Sequence, residues 1–420
     1  MGAAFGSQLA FQASRPQPKP PTGVVLVVLD AARASSVGAY GGRNGVTPHL
    51  DALASESQLF EQAFTPAVYT RAAMAALWTS RDPGRPGQRR ALRLAEALRA
   101  AEVSTAGFVA NPNAGRSSGH ERGFEEFRQI EGVPPPPSEE LVGDFVDFLE
   151  RKGKTRFFAY LHLREPHFPY VPPPPFALRF GGPQVLPVEV FSDADWMASL
   201  NLRKGGPTSA EALDLVRAYE ANLGYADHLV GQIRARLEAA GLAESTALIV
   251  TADHGEALGE HGRVGHNDQA YAESARVPML LRVPGRAAGR SSRLVSLLDV
   301  APTIAQLFGV SPTGFEGVSL MAEEGPPERG LLCVSTDPKA VRAFRDARYS
   351  LVTTGGRTEL FDRRHDPGET HDLAPTEPVL LSSLVELRAK AEVQLTTFTD
   401  EAPALEPKSR DALRALGYLQ

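Results

Sequence analysis

Short runs of apolar residues alternate along this chain with longer stretches in which apolar residues recur every three or four positions. The run 24–29 contains only Val and Leu, which is typical of a central strand buried on both faces. The longer stretches are typical of amphipathic helices. Their alternation predicts an α/β fold with a mainly parallel central sheet. The predicted strands are 24–29, 103–109, 157–161, 246–251 and 278–283, and the predicted helices are 90–102, 138–152 and about 209–240.

The pattern changes after about residue 320. Residues 342–353 and 358–360 have the pattern of antiparallel strands, and 379–394 that of a closing helix. They predict a small α+β subdomain. The proline-rich sequence that ends at Pro21 predicts a tail at the amino end. We therefore divide the chain into a tail (1–22), a main domain (23–320) and a C-terminal subdomain (321–420).

Composition removes several classes of protein from consideration. The chain has 420 residues and a formal net charge of -6, which argues against a nucleic-acid partner, since such partners select a basic face. No apolar run is long enough to span a membrane as a helix. The single cysteine, Cys333, excludes an intramolecular disulfide. Residues 1–21 lack the pattern of an intact signal peptide, and the compartment (cytoplasmic or periplasmic) and the oligomeric state stay open.

Polar residues follow two of the predicted strands directly. Asp30 comes after the first strand, and Asp253 with His254 comes after the fourth. Because ligands of parallel α/β sheets bind outside the carboxyl ends of the strands, we expect these side chains to converge. Each of them alone also fits a loop or a helix cap. Together, two carboxylates and an imidazole predict a site for one divalent metal ion, with zinc or manganese favoured because nitrogen ligands suit them.

These residues belong to an ordered series of motifs. The series includes Leu-Asp-Ala-Ala-Arg at 29–33, Gly-Ala-Tyr-Gly at 38–41, Thr-Pro-His-Leu-Asp at 47–51, Thr-Ala-Asp-His-Gly-Glu at 251–256, Leu-Asp-Val-Ala-Pro-Thr at 298–303 and Glu-Leu-Phe-Asp at 359–362. In this order the motifs resemble the sulfatase family of the alkaline phosphatase superfamily, from about residue 24 to 418. The resemblance implies the α/β fold of the alkaline phosphatase and sulfatase group and a small anionic ester as substrate. It also implies a metal site formed by Asp30, Thr70, Asp253 and His254, for which calcium is possible as well.

The same resemblance places the nucleophile at Thr70, forty residues after Asp30. True sulfatases carry Cys or Ser there, within Cys/Ser-x-Pro/Ala-x-Arg, and convert it to formylglycine. Here Ala72 stands at the proline position and Met74 at the arginine position, and a threonine does not undergo that conversion. A threonine at this position resembles the phosphohydrolase branch of the superfamily. In that branch, coordination to a cation activates the hydroxyl as a nucleophile. The alternative for Thr70 is a helix N-cap ahead of 72–77.

Four further residues are expected around the substrate. The segment 162–170 resembles the family's Asp-Pro-His-x-Pro-Tyr, and this match puts His167 at the ester anion or a metal. His266 matches a position beside the substrate, and either imidazole could act as general acid. His162 is a further candidate for contacting the substrate. Arg33 is expected either to steady an anion or to pair with a carboxylate.

Three functions remain open at this point. The favoured one is hydrolysis of a phosphoester or phosphodiester through Thr70. The second is hydrolysis of a sulfuric ester, which has to proceed without formylglycine. The third is a catalytically silent member of the family that binds an anion, and the replaced arginine at Met74 keeps it open.

Overall fold

A computed structural model describes residues 20–85, 87–326, 328–337, 339–392 and 407–415. Most of the predicted tail, the end of the predicted closing helix at 393–394 and the end of the family resemblance at 416–418 fall outside these residues. The described strands are β1 (Gly23–Leu29), β2 (Gln58–Phe64), β3 (Ser104–Val109), β4 (Glu126–Gln129), β5 (Phe157–Leu163), β6 (Thr246–Ala252), β7 (Ala257–Leu258), β8 (Val264–Gly265), β9 (Met279–Arg282), β10 (Gly289–Ser296), β11 (Leu331–Val334), β12 (Val341–Arg345), β13 (Tyr349–Thr354) and β14 (Arg357–Asp362).

Eight of these strands form the main sheet, in the order β10-β2-β9-β6-β1-β5-β3-β4. The all-apolar β1 lies inside the sheet and pairs in parallel with β5 and β6, as its composition predicted. The pairing puts Leu29 opposite both Leu163 and Ala252, so these three strands end at the same level. The predicted strand at 278–283 corresponds to β9 and lies beside β6, but it runs antiparallel to β6 and β2. The sheet is therefore mainly parallel.

Helices cover both faces of this sheet. The described helices are α1 (Pro48–Ser55), α2 (Thr70–Thr79), α3 (Leu94–Ala100), α4 (Glu139–Lys152), α5 (Ala194–Leu200), α6 (Ser209–Ala239), α7 (Ala272–Ala275), α8 (Val300–Leu307), α9 (Pro378–Glu392) and α10 (Pro407–Ala415). Trp78 of α2 packs edge-on against Tyr160 of β5, with ring centroids 4.7 Å apart. Phe148 of α4 packs against Phe157 of the same strand at 6.0 Å. Since residues 157 and 160 point to opposite faces of a strand, α2 and α4 lie on opposite sides of the sheet.

The predicted helices form with small shifts of their ends. Helix α6 begins after Thr208, whose side chain accepts the Glu211 N–H while the Glu211 carboxylate accepts the Thr208 N–H. Helix α3 is shorter than the predicted 90–102, because the Glu96 side chain accepts the backbone N–H of Arg93 and fixes the start of the helix there. Leu213, which the periodicity of α6 assigned to the apolar face, is half exposed.

The C-terminal subdomain contains a separate antiparallel sheet in the order β11-β12-β13-β14. The predicted strands at 342–353 and 358–360 correspond to β12, β13 and β14. Helix α9 covers one face of this sheet, where Leu384 packs with Leu351 and Leu360. The other face meets the main domain, where Phe64 of β2 belongs to the same buried cluster as Val341 and Val352 of the subdomain sheet. The predicted α+β subdomain is therefore present beside the main sheet.

Candidate metal and catalytic site

Asp30 is the first residue after β1 and is completely buried. Its Oδ2 accepts hydrogen bonds from the side-chain amide of Asn111 and from Nε2 of His162, the latter at 3.2 Å. Its Oδ1 has no hydrogen-bond partner among the described residues. Because an unpaired buried carboxylate oxygen is costly, Oδ1 marks a position where a ligand is needed.

Asp253 and His254 follow β6, the neighbour of β1, and are also completely buried. Oδ1 of Asp253 accepts the N–H groups of Ala31 at 3.1 Å and His254 at 2.9 Å, whereas Oδ2 has no hydrogen-bond partner among the described residues. Nδ1 of His254 donates to the carbonyl of Gly255 at 2.9 Å. This bond leaves Nε2 as the lone-pair nitrogen, which lies 3.4 Å from Asp253 Oδ2 and 3.7 Å from Asp30 Oδ1.

These three side chains have the composition and spacing of a metal site. One ligand atom from each lies within 4.8 Å of the other two, and all three residues are buried. Burial alone raises the pKa of a carboxyl group, but the charge of His167 and the hydrogen bond from His162 hold that of Asp30 well below its usual range. Burial and the nearby charge of Asp30 raise the pKa of Asp253. A divalent cation would offset the repulsion between the carboxylates of Asp30 and Asp253. The three side chains therefore suit a divalent cation.

Thr70 is the first residue of α2. The alternative role considered for Thr70, the N-cap of this helix, belongs to Tyr69 instead. The Thr70 hydroxyl oxygen lies 3.2 Å from Nε2 of His254, the nitrogen that faces both carboxylates. The hydroxyl therefore adjoins the metal cluster. Its position at the start of a helix also brings it near the backbone N–H groups of the first turn, which favour anions.

His167 and His266 lie beside His254. The ring centroids of His254 and His266 are 4.2 Å apart, and those of His167 and His266 are 5.0 Å apart. Nδ1 of His266 contacts Oε1 of Glu256 at 2.8 Å. Burial, reinforced by the charge of His254, lowers the pKa of His266 well below its ordinary value. Burial also raises the pKa of Glu256 to about 7.

A cavity of about 610 Å³ opens over these two histidines. Its floor includes His167, His266 and Glu256, and its wall is formed by residues 192–201 in and before α5. Arg414 of α10 reaches the same cavity from the carboxyl end of the chain. The cavity has room for a small organic group attached to an ester anion at the histidines.

His162 and Arg33 do not line this cavity. His162 lies behind Asp30, and its Nδ1 contacts the Tyr160 hydroxyl at 2.7 Å, so it positions the carboxylate. Arg33 forms an ion pair with Glu260 at 2.7 Å and donates to the backbone carbonyl of Glu256. Of the two expectations for Arg33, the geometry corresponds to pairing with a carboxylate.

Two residues of this site were not predicted. Asn111 binds the carboxylate of Asp30, and Glu256 binds His266. Asn111 stands two residues after β3. Side chains at the carboxyl ends of parallel strands are expected at the ligand site, so the sequence did contain a signal for Asn111, as it did for Asp30. Glu256 lies within the Asp-His-Gly-Glu motif, but its partner is ten residues away along the chain, and only the β7–β8 ribbon brings the two together.

Comparisons with known proteins agree with this architecture. The sequence profile of the sulfatase family matches residues 22–310, and the chain belongs to that family. An ulvan-active sulfatase of Formosa agariphila is 26% identical, over 92% of this chain and 83% of its own length. An arylsulfatase of Clostridium perfringens is 23% identical, over 84% of this chain and 90% of its own length.

The fold is similar to that of solved hydrolases. The structure of a phosphonate monoester hydrolase of Agrobacterium radiobacter superposes with a TM-score of 0.69 and 20% sequence identity, covering 92% of this chain and 99% of that one. At this identity the likeness concerns the fold, which is that of the alkaline phosphatase and sulfatase group. Within the described part of the chain, no helix combines the length and the apolar character needed to cross a membrane.

Proposed function

We propose that this protein is a metal-dependent hydrolase of small anionic esters and that it acts on phosphoesters or phosphodiesters through Thr70. One observation carries the proposal: the Thr70 hydroxyl lies 3.2 Å from the His254 nitrogen that faces Asp30 and Asp253. Asp30, Asp253 and His254 would hold one divalent ion, zinc or manganese in preference to calcium, with Thr70 as a further ligand. When bound, the ion would supply positive charge that lowers the pKa of the hydroxyl.

In the first half of the reaction the Thr70 oxygen forms a bond to phosphorus as the bond from phosphorus to the alcohol oxygen breaks. The hydroxyl proton leaves to solvent, and a histidine gives a proton to the departing alcohol. His266 suits this role better than His167, because its Nδ1 contacts Glu256, whose pKa is raised to about 7, so that the pair of residues can hold a proton near neutral pH. Nδ1 of His167 contacts the backbone carbonyl of Phe168, which carries no charge and no proton to exchange, so we assign His167 to binding the ester anion.

In the second half, water attacks the phosphorylated threonine. The bond from phosphorus to Thr70 breaks, the threonine oxygen takes a proton back from solvent, and inorganic phosphate, or a phosphate monoester from a diester, is released. His266, deprotonated by the first half, takes a proton from the attacking water and returns to its starting state. The cavity formed by residues 192–201 would hold the alcohol portion of the substrate.

Hydrolysis of sulfate esters is the second candidate. The family match and the ulvan-active sulfatase and arylsulfatase among its relatives favour it. The residue at the nucleophile position is the argument against it, since Thr70 is not a precursor of formylglycine. A catalytically silent, anion-binding protein is the third candidate and predicts metal or anion binding without turnover.

The test is a panel of an aryl sulfate, an aryl phosphate and a bis-aryl phosphate, assayed after reconstitution with zinc, manganese or calcium. We expect a phosphate ester to be the best substrate, and Thr70→Ala to reduce its turnover by about 10³-fold or more, because the covalent route is lost. Thr70→Ser keeps a hydroxyl and should keep most of the activity.

Sulfate preferred by orders of magnitude would establish the second candidate, and no turnover with bound metal would establish the third. Activity retained by Thr70→Ala would remove this hydroxyl from the mechanism. Metal content measured on both variants separates loss of the nucleophile from loss of the ion.

A further inference from the structure

A second cavity, of about 650 Å³, lies between the main domain and the C-terminal subdomain. We call it the seam cavity. Arg276, after α7, and Arg290, in β10, line it from the main domain. The subdomain contributes Arg348, in the turn between β12 and β13, and Arg363 and Arg364, directly after β14. These five arginines face one acidic lining residue, Glu61, among the residues that the structure describes.

Only two of the five guanidinium groups have a carboxylate partner among the described contacts. Arg348 forms a fork with Asp362, with distances of 2.6 and 3.1 Å, and Arg290 pairs with Glu61 at 2.9 Å. Arg276 donates both of its described hydrogen bonds to the backbone carbonyl of Glu61, at 2.7 and 3.0 Å. A carbonyl accepts a hydrogen bond without cancelling the charge, so Arg276 keeps its net positive charge.

Arg363 is in the same situation. It donates to the backbone carbonyls of Tyr349 and Asp346 and to the side-chain oxygen of Gln62, the last at 3.0 Å. Its Nε is buried and has no hydrogen-bond partner within the described part of the chain. Arg364 is exposed at the rim. The seam cavity therefore carries an excess of positive charge.

Burial is the main cause of the lowered pKa values of two of these arginines. Burial, with the charge of Arg345 as the next cause, lowers the pKa of Arg363 to about 10. The pKa of Arg276 is also lowered by burial; Tyr40 and Glu61 oppose this shift, and the charge of Arg290 adds to it. Because the arginines belong to both domains, their repulsion acts across the seam and opposes its closure.

We propose that the seam cavity binds a tetrahedral oxyanion, as a free sulfate or phosphate ion or as the sulfate group of an ester, and that the bound anion joins the subdomain to the main domain. Guanidinium groups are suited to such oxyanions, since each presents two parallel donors. The site shares no lining residue with the catalytic cavity, so the proposal is independent of the proposed hydrolytic function.

The test compares thermal unfolding of the wild type and of Arg290→Gln/Arg364→Gln in 0 to about 10 mM sodium sulfate. Excluded-solute effects of sulfate are small at such concentrations. Sodium chloride of equal ionic strength is the control for screening. Arg236→Gln, at an exposed position near the end of α6, is the matched control variant. Arg364→Gln alone is a second test variant in case the double variant misfolds. It is expected to fold, because Arg364 is exposed.

We expect a saturable rise of the melting temperature with sulfate in the wild type and Arg236→Gln, and an apparent affinity at least tenfold weaker in the double variant. Methyl sulfate in place of sulfate identifies the source: an equal effect assigns the site to an ester group, and no effect assigns it to the free ion. Equal responses of the wild type and the double variant, or equal effects of chloride and sulfate, would overturn the proposal. So would a response that is lost in His266→Ala and kept in the double variant, since it would place the anion in the catalytic cavity.

Discussion

Asp30 divides its two carboxylate oxygens between different partners. Oδ2 is held by Asn111 and His162, and Oδ1 faces the cluster formed with Asp253 and His254. The orientation of a metal ligand is normally fixed by such outer hydrogen bonds, which also tune its affinity for the ion. Asn111 is therefore a positioning residue that acts through Asp30.

Replacing Asn111 with Ala should weaken binding of the divalent ion by roughly 10- to 100-fold, because Asp30 loses a hydrogen bond that fixes its orientation. Metal titration by calorimetry measures the effect directly. Asn44→Ala, in an exposed turn, is the matched control and should bind the ion as the wild type does. Unchanged affinity in Asn111→Ala would show that His162 alone is sufficient to orient Asp30.

The sequence predicted the candidate ligands of this cluster, but it missed Asn111 and Glu256 and expected His162 at the substrate. Asp30, Asp253 and His254 could be found because Asp30 and the pair Asp253–His254 directly follow apolar strands, and adjacent parallel strands end at one level. Asn111 and Glu256 support the site through contacts with residues that are distant or on other elements. Such partners depend on the packing of several strands and loops, which a local pattern does not contain.

At the scale of elements, the turn between β7 and β8 connects the site to the C-terminal subdomain. His261 lies in this turn, with Nδ1 2.9 Å from Glu273 and Nε2 2.9 Å from the backbone carbonyl of Glu369. Its ring stacks on Tyr271, with centroids 3.8 Å apart. Both ring nitrogens donate when the imidazole is protonated, so the cationic form satisfies both acceptors.

This arrangement predicts a pH dependence of stability. Burial alone would lower the pKa of His261, but the hydrogen bond and charge of Glu273 outweigh it and raise the pKa to about 9. The unfolded-state pKa is about 6.5. The stabilisation is therefore complete below pH 6.5 and is lost as the pH rises towards 9. After allowance for solvent screening we expect a loss of about 1–2 kcal/mol across this interval.

Urea unfolding at several pH values measures this loss, and His261→Gln should flatten the curve between pH 6.5 and 9. His365→Gln is the matched control, because His365 also contacts a carboxylate, Asp362 at 2.9 Å, but is largely exposed. If His261→Gln keeps the slope of the wild type, another group is responsible for it.

The sequence did not predict three strands of the main sheet: β4 at one edge, and β2 and β10 towards the other. Strands β2 and β10 are neighbours at its edge and contain polar residues among the apolar ones, as in Gln58–Phe64 and Gly289–Ser296. An edge strand is partly exposed, so it lacks the continuous apolar run that identified β1. The composition of β9 also does not indicate that this strand runs antiparallel to its neighbours.

At the scale of the whole molecule, a buried ion pair joins the two domains. Arg345 of β12 contacts Glu369 at 3.1 Å, and both side chains are almost completely buried. The same guanidinium donates to the carbonyl of Ala270 at 2.6 Å and lies over the ring of Phe64 at 4.9 Å, both in the main domain. The pair therefore fixes the subdomain sheet against the main sheet.

Arg345→Met should lower the free energy of unfolding by about 3–5 kcal/mol, because it leaves the carboxylate of Glu369 buried without its counter-charge. The double variant Arg345→Met/Glu369→Gln removes both charges and should recover most of this loss. Denaturant unfolding of the four proteins of this cycle gives the coupling energy.

Arg203→Met is the control for this experiment. It breaks the exposed pair with Glu211, whose atoms are 2.8 Å apart, and should cost less than about 1 kcal/mol. A double variant as unstable as the sum of its single variants would mean that Arg345 and Glu369 stabilise the junction independently.

The central claim is that Asp30, Asp253 and His254 form one metal site beside Thr70. Calorimetric titration of metal-stripped protein with zinc or manganese tests it most directly, with Asp253→Asn as the variant and Asp144→Asn, on the surface of α4, as the control. We predict one ion per chain in the wild type and the control, a higher melting temperature with the ion bound, and strongly weakened binding in Asp253→Asn. A wild type that binds no divalent ion, or an Asp253→Asn variant that binds it equally well, would contradict the claim.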